Sequence, residues 1–215
     1  MTKLSDEIRQ FHESFEQKVL IENKRLIAQA TKELAESNMA KGLSIGEQAP
    51  DFTLKDATGV SITLYEELKK GPVILTFYRG GWCPYCNLEL RAYQRVLKDI
   101  TAAGGQLIAI SPQTPDSSLT TKEKNELEFL VLSDTNGSVA ENYNLIFKLP
   151  DYQIEIYKEH GADLTKHNGN DTWELPVPAT YIIDRSGKIR FASADPDFTK
   201  REEPTRMVEL LKEVL

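Results

Sequence analysis

The sequence predicts an α/β sandwich, a central mixed sheet flanked by helices, with a helical arm ahead of it. Three observations carry this. Through the middle of the chain, short continuous apolar runs alternate with segments of helical periodicity, the pattern of parallel βαβ units. Near the C-terminus two apolar runs meet across a tight turn and add an antiparallel hairpin. The opening forty residues hold apolar positions at helical spacing and contain no Gly or Pro before Gly42.

The elements follow in order. Leu4, Ile8, Phe11, Phe15 and Val19, then Leu26, Ile27, Ala30 and Leu34, predict one long or two consecutive amphipathic helices. They separate an arm, residues 1–43, from a domain, residues 44–215. Such a stripe packs on its own domain or on a second copy of the chain, and a homodimer is expected where its own domain leaves part of it bare. In "GLSIGEQAPDFTLKDATGVSITL", Gly and Pro punctuate alternating apolar residues, so short strands and turns open the domain near Ile45. "PVILTFY" (72–78) reads as a buried strand. Residues 84–103 place Leu90, Tyr93, Leu97 and Ile100 on one helical face and stop at Gly104-Gly105. "QLIAIS" (106–111) is the next strand, "SLTTKEKNEL" a polar helix, "FLVLS" (129–133) a third strand and "GSVAENYN" a short helix.

Residues 144–177 exceed an ordinary connection. A short helix is expected there from Pro150 to Gly161, with a turn at "NGND" (168–171). Because the segment leads straight into Pro178, it is an insertion placed to roof the cysteines described below, with Trp173 and Leu175 lining it. Alternatively Trp173, Leu149 and Tyr157 seal an additional layer of core. "ATYIIDRSGKIRFA" (179–192) is the hairpin, turning at Arg185-Ser186-Gly187, and "EEPTRMVELLKEVL" a closing helix with Pro204 near its first turn.

Composition narrows the function. With 26 basic against 33 acidic residues the net charge is −7, which repels phosphate backbones and anionic lipid. Neither nucleic acid nor membrane is an expected partner. No apolar run reaches the ~18 residues of a bilayer span, and "MTKLSDEIRQ" has acidic residues where a signal peptide carries basic and apolar ones. A cytoplasmic location is expected. The chain has two cysteines, too few for a disulfide scaffold, and a reducing compartment would keep a structural bridge open. A close pair there is catalytic or metal-binding.

Both cysteines lie in "FYRGGWCPYCNLELR" (77–91). With Cys83 as N-cap, Pro84 takes the first helical position, where its missing N–H costs nothing, and Cys86 takes the third. The sulfurs then lie within bridging distance. The partial positive charge at that helix end, and a guanidinium such as Arg79, favour thiolate over thiol and make a nucleophile near neutral pH. Gly80 and Gly81 permit a sharp turn from strand to helix, while Trp82 and Tyr85 flank the sulfurs.

The order of strand, W-C-x-x-C opening a helix, strand, helix, then "VPATYIID" resembles the thioredoxin-like fold, with Pro178 in the place of its cis-proline. "GEQAPDFTL", "VILTFY", "FLVLSDTNGSVAENYN" and "TYIIDRSGKI" resemble more closely the peroxiredoxin (alkyl hydroperoxide reductase and thiol-specific antioxidant) family, over roughly residues 45 to 195. The resemblance implies a thiol-dependent antioxidant oxidoreductase that needs no cofactor. In it a thiolate attacks a hydroperoxide, the sulfenic acid condenses with the second cysteine, and a thioredoxin-like reductant reopens the disulfide. The chain departs from the family's P-x-x-x-T-x-x-C pattern: Arg79 stands at the proline, Cys83 at the threonine and Cys86 at the peroxidatic cysteine. The family's later arginine falls on Pro178. Helix-cap geometry therefore names Cys83 as the attacker and the alignment names Cys86. Two other readings use the same pair. One is thiol-disulfide exchange with a disulfide substrate; the other is a metal module joining Cys83 and Cys86 to His160 and His167.

Overall fold

The computed structural model describes residues 2–17 and 19–214; Met1 and Lys18 of the arm and Leu215 of the closing helix lie outside the described residues. The arm is two helices, α1 (Leu4–Glu16) and α2 (Ile21–Glu36). The domain opens with β1 (Thr53–Asp56), β2 (Ser61–Thr63) and α3 (Leu64–Lys70), then β3 (Val73–Phe77), α4 (Pro84–Ala102) and β4 (Gln106–Ser111). Next come α5 (Pro115–Lys124), β5 (Leu130–Ser133), α6 (Ser138–Asn142) and β6 (Ile146–Lys148). The chain continues through α7 (Asp151–Glu159), α8 (Leu164–Asn168), β7 (Glu174–Pro176), β8 (Ala179–Ile183), β9 (Ile189–Ala194) and α9 (Pro204–Glu213).

The main sheet runs β2-β1-β5-β4-β3-β8-β9. β3, β4 and β5 are mutually parallel, and β8 joins β3 antiparallel. This is the mixed sheet of the thioredoxin-like fold. Being central, β3 is buried on both faces, and its residues divide by parity as a pleated strand requires. Val73, Leu75 and Phe77 enter one core with Leu64, Ile108 and Tyr181, while Ile74 and Tyr78 enter a second with α4 and α9. The cysteines belong to the second. α5 begins at Pro115, earlier than the apolar pattern suggests, because Thr114 caps it by accepting the Ser117 amide.

The arm folds back on its own domain. Leu4 is buried, and Ile8 and Phe11 pack on the α4/α9 core. Glu203, just ahead of α9, accepts the Leu4 and Ser5 amides at 3.0 and 2.8 Å, satisfying donors that a helix start leaves open. α2 lies against α7, with Tyr152 donating to Glu33 at 2.8 Å. The stripe is therefore covered within one chain, and among the described residues of the arm Leu20, just ahead of α2, Ile21 at its start and Met39 beyond its end stand out as exposed apolar residues.

Residues 144–177 supply β6, α7, α8 and β7. Leu149, Ile154, Tyr157, Leu164 and Leu175 form a third small core, against which Trp82 and Trp173 pack. Trp173 and Leu175 thus seal a layer, and the wall toward the cysteines is made by Ile156, Tyr157, His160 and Ala162. The expected cis bond between Val177 and Pro178 is not found; the described residues contain no cis peptide. The chain passes extended from β7 into β8, Val177 donating to Leu145 at 2.8 Å and Pro178 accepting from Asp195 at 3.4 Å. With both groups paired to flanking strands, nothing requires the chain to reverse at that bond.

Candidate functional site

The turn from β3 into α4 builds the site. Cys83 is the N-cap in extended conformation, Pro84 opens the helix and Cys86 follows in its first turn. Gly80 has φ +149°, and a Cβ there would fall 2.3 Å from Trp82 Nε1. Gly81 has no room either, since a Cβ would meet Thr121 Oγ1 at 2.2 Å. Only glycine lets the indole and α5 close on the turn. The turn is then tied in place: the Gly81 amide donates to Gln113 Oε1 at 2.8 Å and Asn87 Nδ2 to the Gly81 carbonyl at 2.8 Å. Asn125 Nδ2 in turn donates to Asn87 Oδ1 at 2.9 Å. Gln113, Asn87 and Asn125 carry no sequence motif. Their signal is burial of amide side chains, which tertiary structure alone reveals.

Both cysteines are free thiols. Although a helix N-cap is usually open to solvent, Cys83 is 2% exposed and Cys86 fully buried, because the arm lies over the site. Cys83 lines a cavity of about 210 Å³ shared with Arg79, Trp82, Pro84, Tyr85 and Phe198, and closed by Phe15, Val19 and Ile27 of the arm. Tyr85 is held from the arm side, its hydroxyl 2.9 Å from His12 Nδ1 and its ring edge-on to Phe11. Pro178 does not line that cavity; it borders one of about 470 Å³ with Glu89, Thr180 and Arg201, and a small cleft with Arg79, Tyr157 and Phe198.

Arg79 is 3% exposed and stacked among aromatic rings, its guanidinium carbon 4.3 Å from the Phe198 centroid and 4.9 Å from that of Trp82. One of its terminal nitrogens donates to the Tyr157 hydroxyl, while Nε has no hydrogen-bond partner among the described residues. A second guanidinium completes the site, and no sequence motif announced it. Arg201, ahead of α9, donates through Nη2 to Cys86 Sγ at 3.5 Å and through Nε to Glu89 Oε2 at 2.7 Å. Both partners of that ion pair are 2% exposed. One signal was legible. Glu89 follows Cys86 by three residues on the buried face of α4, so a carboxylate there demanded a cation from elsewhere.

These charges separate the two thiols. Burial raises the Cys83 thiol, but the hydrogen bond from Cys86, the guanidinium groups of Arg79 and Arg201, and the Cys86 amide outweigh it and bring it down to about 6. That amide makes no full capping bond to the sulfur and contributes the smallest share. Cys86 is pushed well above the usual thiol range by burial, by its hydrogen bond to Cys83 and by the Cys83 charge, with Arg201 and Arg79 opposing. Burial likewise raises the Glu89 carboxyl to about 7, against the pull of Arg201. The arrangement holds one reactive thiolate beside one protonated thiol near neutral pH. Among the described residues no group of three or more His, Cys, Asp or Glu could hold a metal ion. His160 reaches the cysteine cavity but His167 does not line it.

Known proteins share this architecture. The AhpC/TSA family matches residues 45–192. A Mycobacterium tuberculosis protein described as a candidate peroxiredoxin is 30% identical over 147 residues, 68% of this chain and 82% of the relative. Chloroplastic peroxiredoxin Q of Suaeda salsa is 28% identical over 148 residues, 69% of this chain and 58% of the relative. Among solved structures, peroxidoxin BcpB of Mycobacterium tuberculosis superposes with a TM-score of 0.63 at 20% identity, covering 80% of this chain and 99% of that one. The family match begins at residue 45, so the arm, and with it one wall of the cysteine cavity, lies outside it.

Proposed function

The chain belongs to the AhpC/TSA family and is a thiol-dependent peroxidase, and from that premise we propose that Cys83 is the attacking thiolate and Cys86 the resolving thiol. The observation that carries the assignment is access: Cys83 lines the cavity where a small substrate can sit, and Cys86 does not. Cys83 sulfur attacks the outer oxygen of a hydroperoxide, the O–O bond breaks, and the leaving alkoxide or hydroxide takes a proton. Cys83 is left as sulfenic acid. Arg79 stands beside the reacting sulfur, where its charge steadies the thiolate before attack and the leaving oxygen after it. Cys86 then attacks the Cys83 sulfur, water leaves and a disulfide forms. The Arg201 contact to Cys86 Sγ favours the thiolate that this second step needs. Two thiols of a thioredoxin-like donor reopen the bridge, and a reducing cytoplasmic compartment supplies them.

Disulfide exchange with a disulfide substrate is the less favoured reading, because Cys83 opens on a cavity of about 210 Å³ that suits a small molecule and the relatives are peroxiredoxins. The two are told apart by mixing reduced protein with hydrogen peroxide, an organic hydroperoxide and a disulfide, and comparing rates of thiol loss.

The rate of peroxide-dependent thiol loss is expected to be half-maximal near pH 6, where Cys83 titrates. Protonation removes the nucleophile, so the rate falls about tenfold per pH unit below that point and is level above pH 7. Arg79→Met removes one of the charges that lower Cys83 and moves the midpoint toward that of an ordinary thiol, about 8.5. A stopped-flow profile with an unshifted midpoint in Arg79→Met would remove Arg79 from the activation of Cys83.

The homodimer we propose draws on Leu20 and Ile21, which are 69% and 85% exposed at the turn of the arm. Sedimentation of the native chain and of Leu20→Lys/Ile21→Lys is expected to show a dimer only in the first. A monomer in both would leave the arm to the cysteine site alone.

A further inference from the structure

Resolution takes a proton from Cys86, and that thiol has no direct route to water. Cys86 is fully buried and lines neither the cavity before Cys83 nor the larger one around Arg201. Burial, the largest cause of its raised thiol, persists after Cys83 has become sulfenic acid, so the second step starts from S–H. Arg201 does not accept the proton, because its guanidinium, though buried, is kept charged by Glu89 and the cysteines.

Glu89 is placed to receive it. It follows Cys86 by three residues on α4, so the two side chains are neighbours on one helix face. Arg201 gathers them: Nε donates to Glu89 Oε2 at 2.7 Å and the neighbouring Nη2 to Cys86 Sγ at 3.5 Å, which sets oxygen and sulfur on one planar fork. Of the two, only Glu89 lines the cavity of about 470 Å³, whose wall also holds the hydroxyls of Thr180, Ser193 and Thr199. A proton received there can pass to water. The other groups around Glu89 do not compete. Burial keeps Tyr93, one turn further along α4, neutral, while Lys200 pairs with Asp195 at 3.3 Å and Glu202 with Arg206 at 3.0 Å.

We propose that Glu89 is the general base of the resolving step, taking the Cys86 proton as the disulfide forms and returning it when the disulfide is reduced. The proposal rests on the reading of Cys83 as attacker and Cys86 as resolver. The Cys86 S–H bond breaks, its proton goes to the Glu89 carboxylate, and the sulfur electron pair attacks Cys83 Sγ of the sulfenic acid. The S–O bond breaks, and the hydroxide takes a proton from solvent and leaves as water. Glu89 gives up its proton through the polar cavity, so the sum is one disulfide and one water. In the reverse direction a donor thiolate attacks Cys83 Sγ, and Glu89 protonates the Cys86 sulfur as it leaves. A carboxyl raised by burial to about 7, against the pull of Arg201, suits both directions, since a base works best with its pKa near the working pH.

The test is a rapid-quench series on the full chain and on Glu89→Gln, each mixed with one equivalent of hydrogen peroxide and stopped with a dimedone-type reagent and an alkylating agent. Mass spectrometry follows sulfenic acid and disulfide with time. Glutamine keeps an oxygen for Arg201 Nε, so a role confined to positioning the guanidinium survives in this variant. The conversion of sulfenic acid to disulfide is expected to be slowed at least about a hundredfold more than the formation of sulfenic acid, the scale of general base catalysis. In the native chain that conversion is expected to fall about tenfold per pH unit below pH 7, where Glu89 takes up a proton, and Glu89→Gln to lack the inflection. Glu89→Asp keeps a carboxylate and is expected to keep an inflection, which tests the proposal even where Glu89→Gln does not fold. A ratio of the two rates within about threefold of native in Glu89→Gln, or a native profile with no inflection, overturns the proposal. Sulfenic acid trapped on Cys86 would instead overturn the reading of the pair on which it rests.

Discussion

Replacing Cys83 by Ser is expected to lower the rate of peroxide-dependent thiol oxidation by at least about a thousandfold, since the remaining thiol is buried and protonated at neutral pH. Cys86→Ser behaves differently. Its Cys83 still lines the cavity and still has Arg79 beside it, so one equivalent of peroxide is consumed in a single turnover. The sulfenic acid then finds no resolver and is trapped by a dimedone-type reagent, giving one adduct per chain by mass spectrometry. Turnover with a dithiol reductant is slowed in that variant because the intramolecular disulfide cannot form. Labelling confined to Cys83→Ser would give peroxide attack to Cys86, as the alignment to the family pattern has it, and would make Arg201 rather than Arg79 the activating cation. Absence of labelling from both variants would count against peroxide as the substrate altogether.

The second large effect is on stability. Arg201→Leu removes the guanidinium that lies 2.7 Å from Glu89, 2% exposed; with its carboxyl already raised to about 7, Glu89 takes up a proton, and the expected cost at pH 7 is about 1–3 kcal/mol, that of a buried polar group left unpartnered. The same change strips a donor from Cys86 Sγ. Glu89→Leu added to Arg201→Leu is expected to restore most of the loss, because a buried ion pair exchanged whole for apolar groups is often close to neutral. Urea unfolding at pH 7 of the native chain, both single variants and the double variant closes the cycle. The double variant is expected to fold yet resolve slowly, the Cys86 thiol having lost the cation that favours its ionisation. Equal stability of Arg201→Leu and the native chain would show that the pair carries no net weight.

How far the sequence reached can be told residue by residue. The strands at 72–78 and 106–111, the helix opening at Pro84 and the hairpin turning at Arg185-Ser186-Gly187 are local events. Strand runs, helical periodicity and cap residues report on neighbours within one or two turns, so each could be read before any coordinate was known. The placement of Cys83 at the N-cap belongs to the same class, and Arg79 entered it through being four residues away.

Tertiary structure decided the rest. Arg201 lies 115 residues from Cys86 in "DFTKREEP", a run that reads as solvated charge until α9 docks beside α4 and buries its guanidinium against Glu89. The trans bond before Pro178 is fixed by partners on Leu145 and Asp195, which belong to other segments. The arm's amphipathic stripe was plain, yet its destination was not, because hydrophobic periodicity states that a face must be covered without stating by what. Only the folded chain, by laying α1 along α4 and α2 along α7, turned that face into a wall of the cysteine cavity.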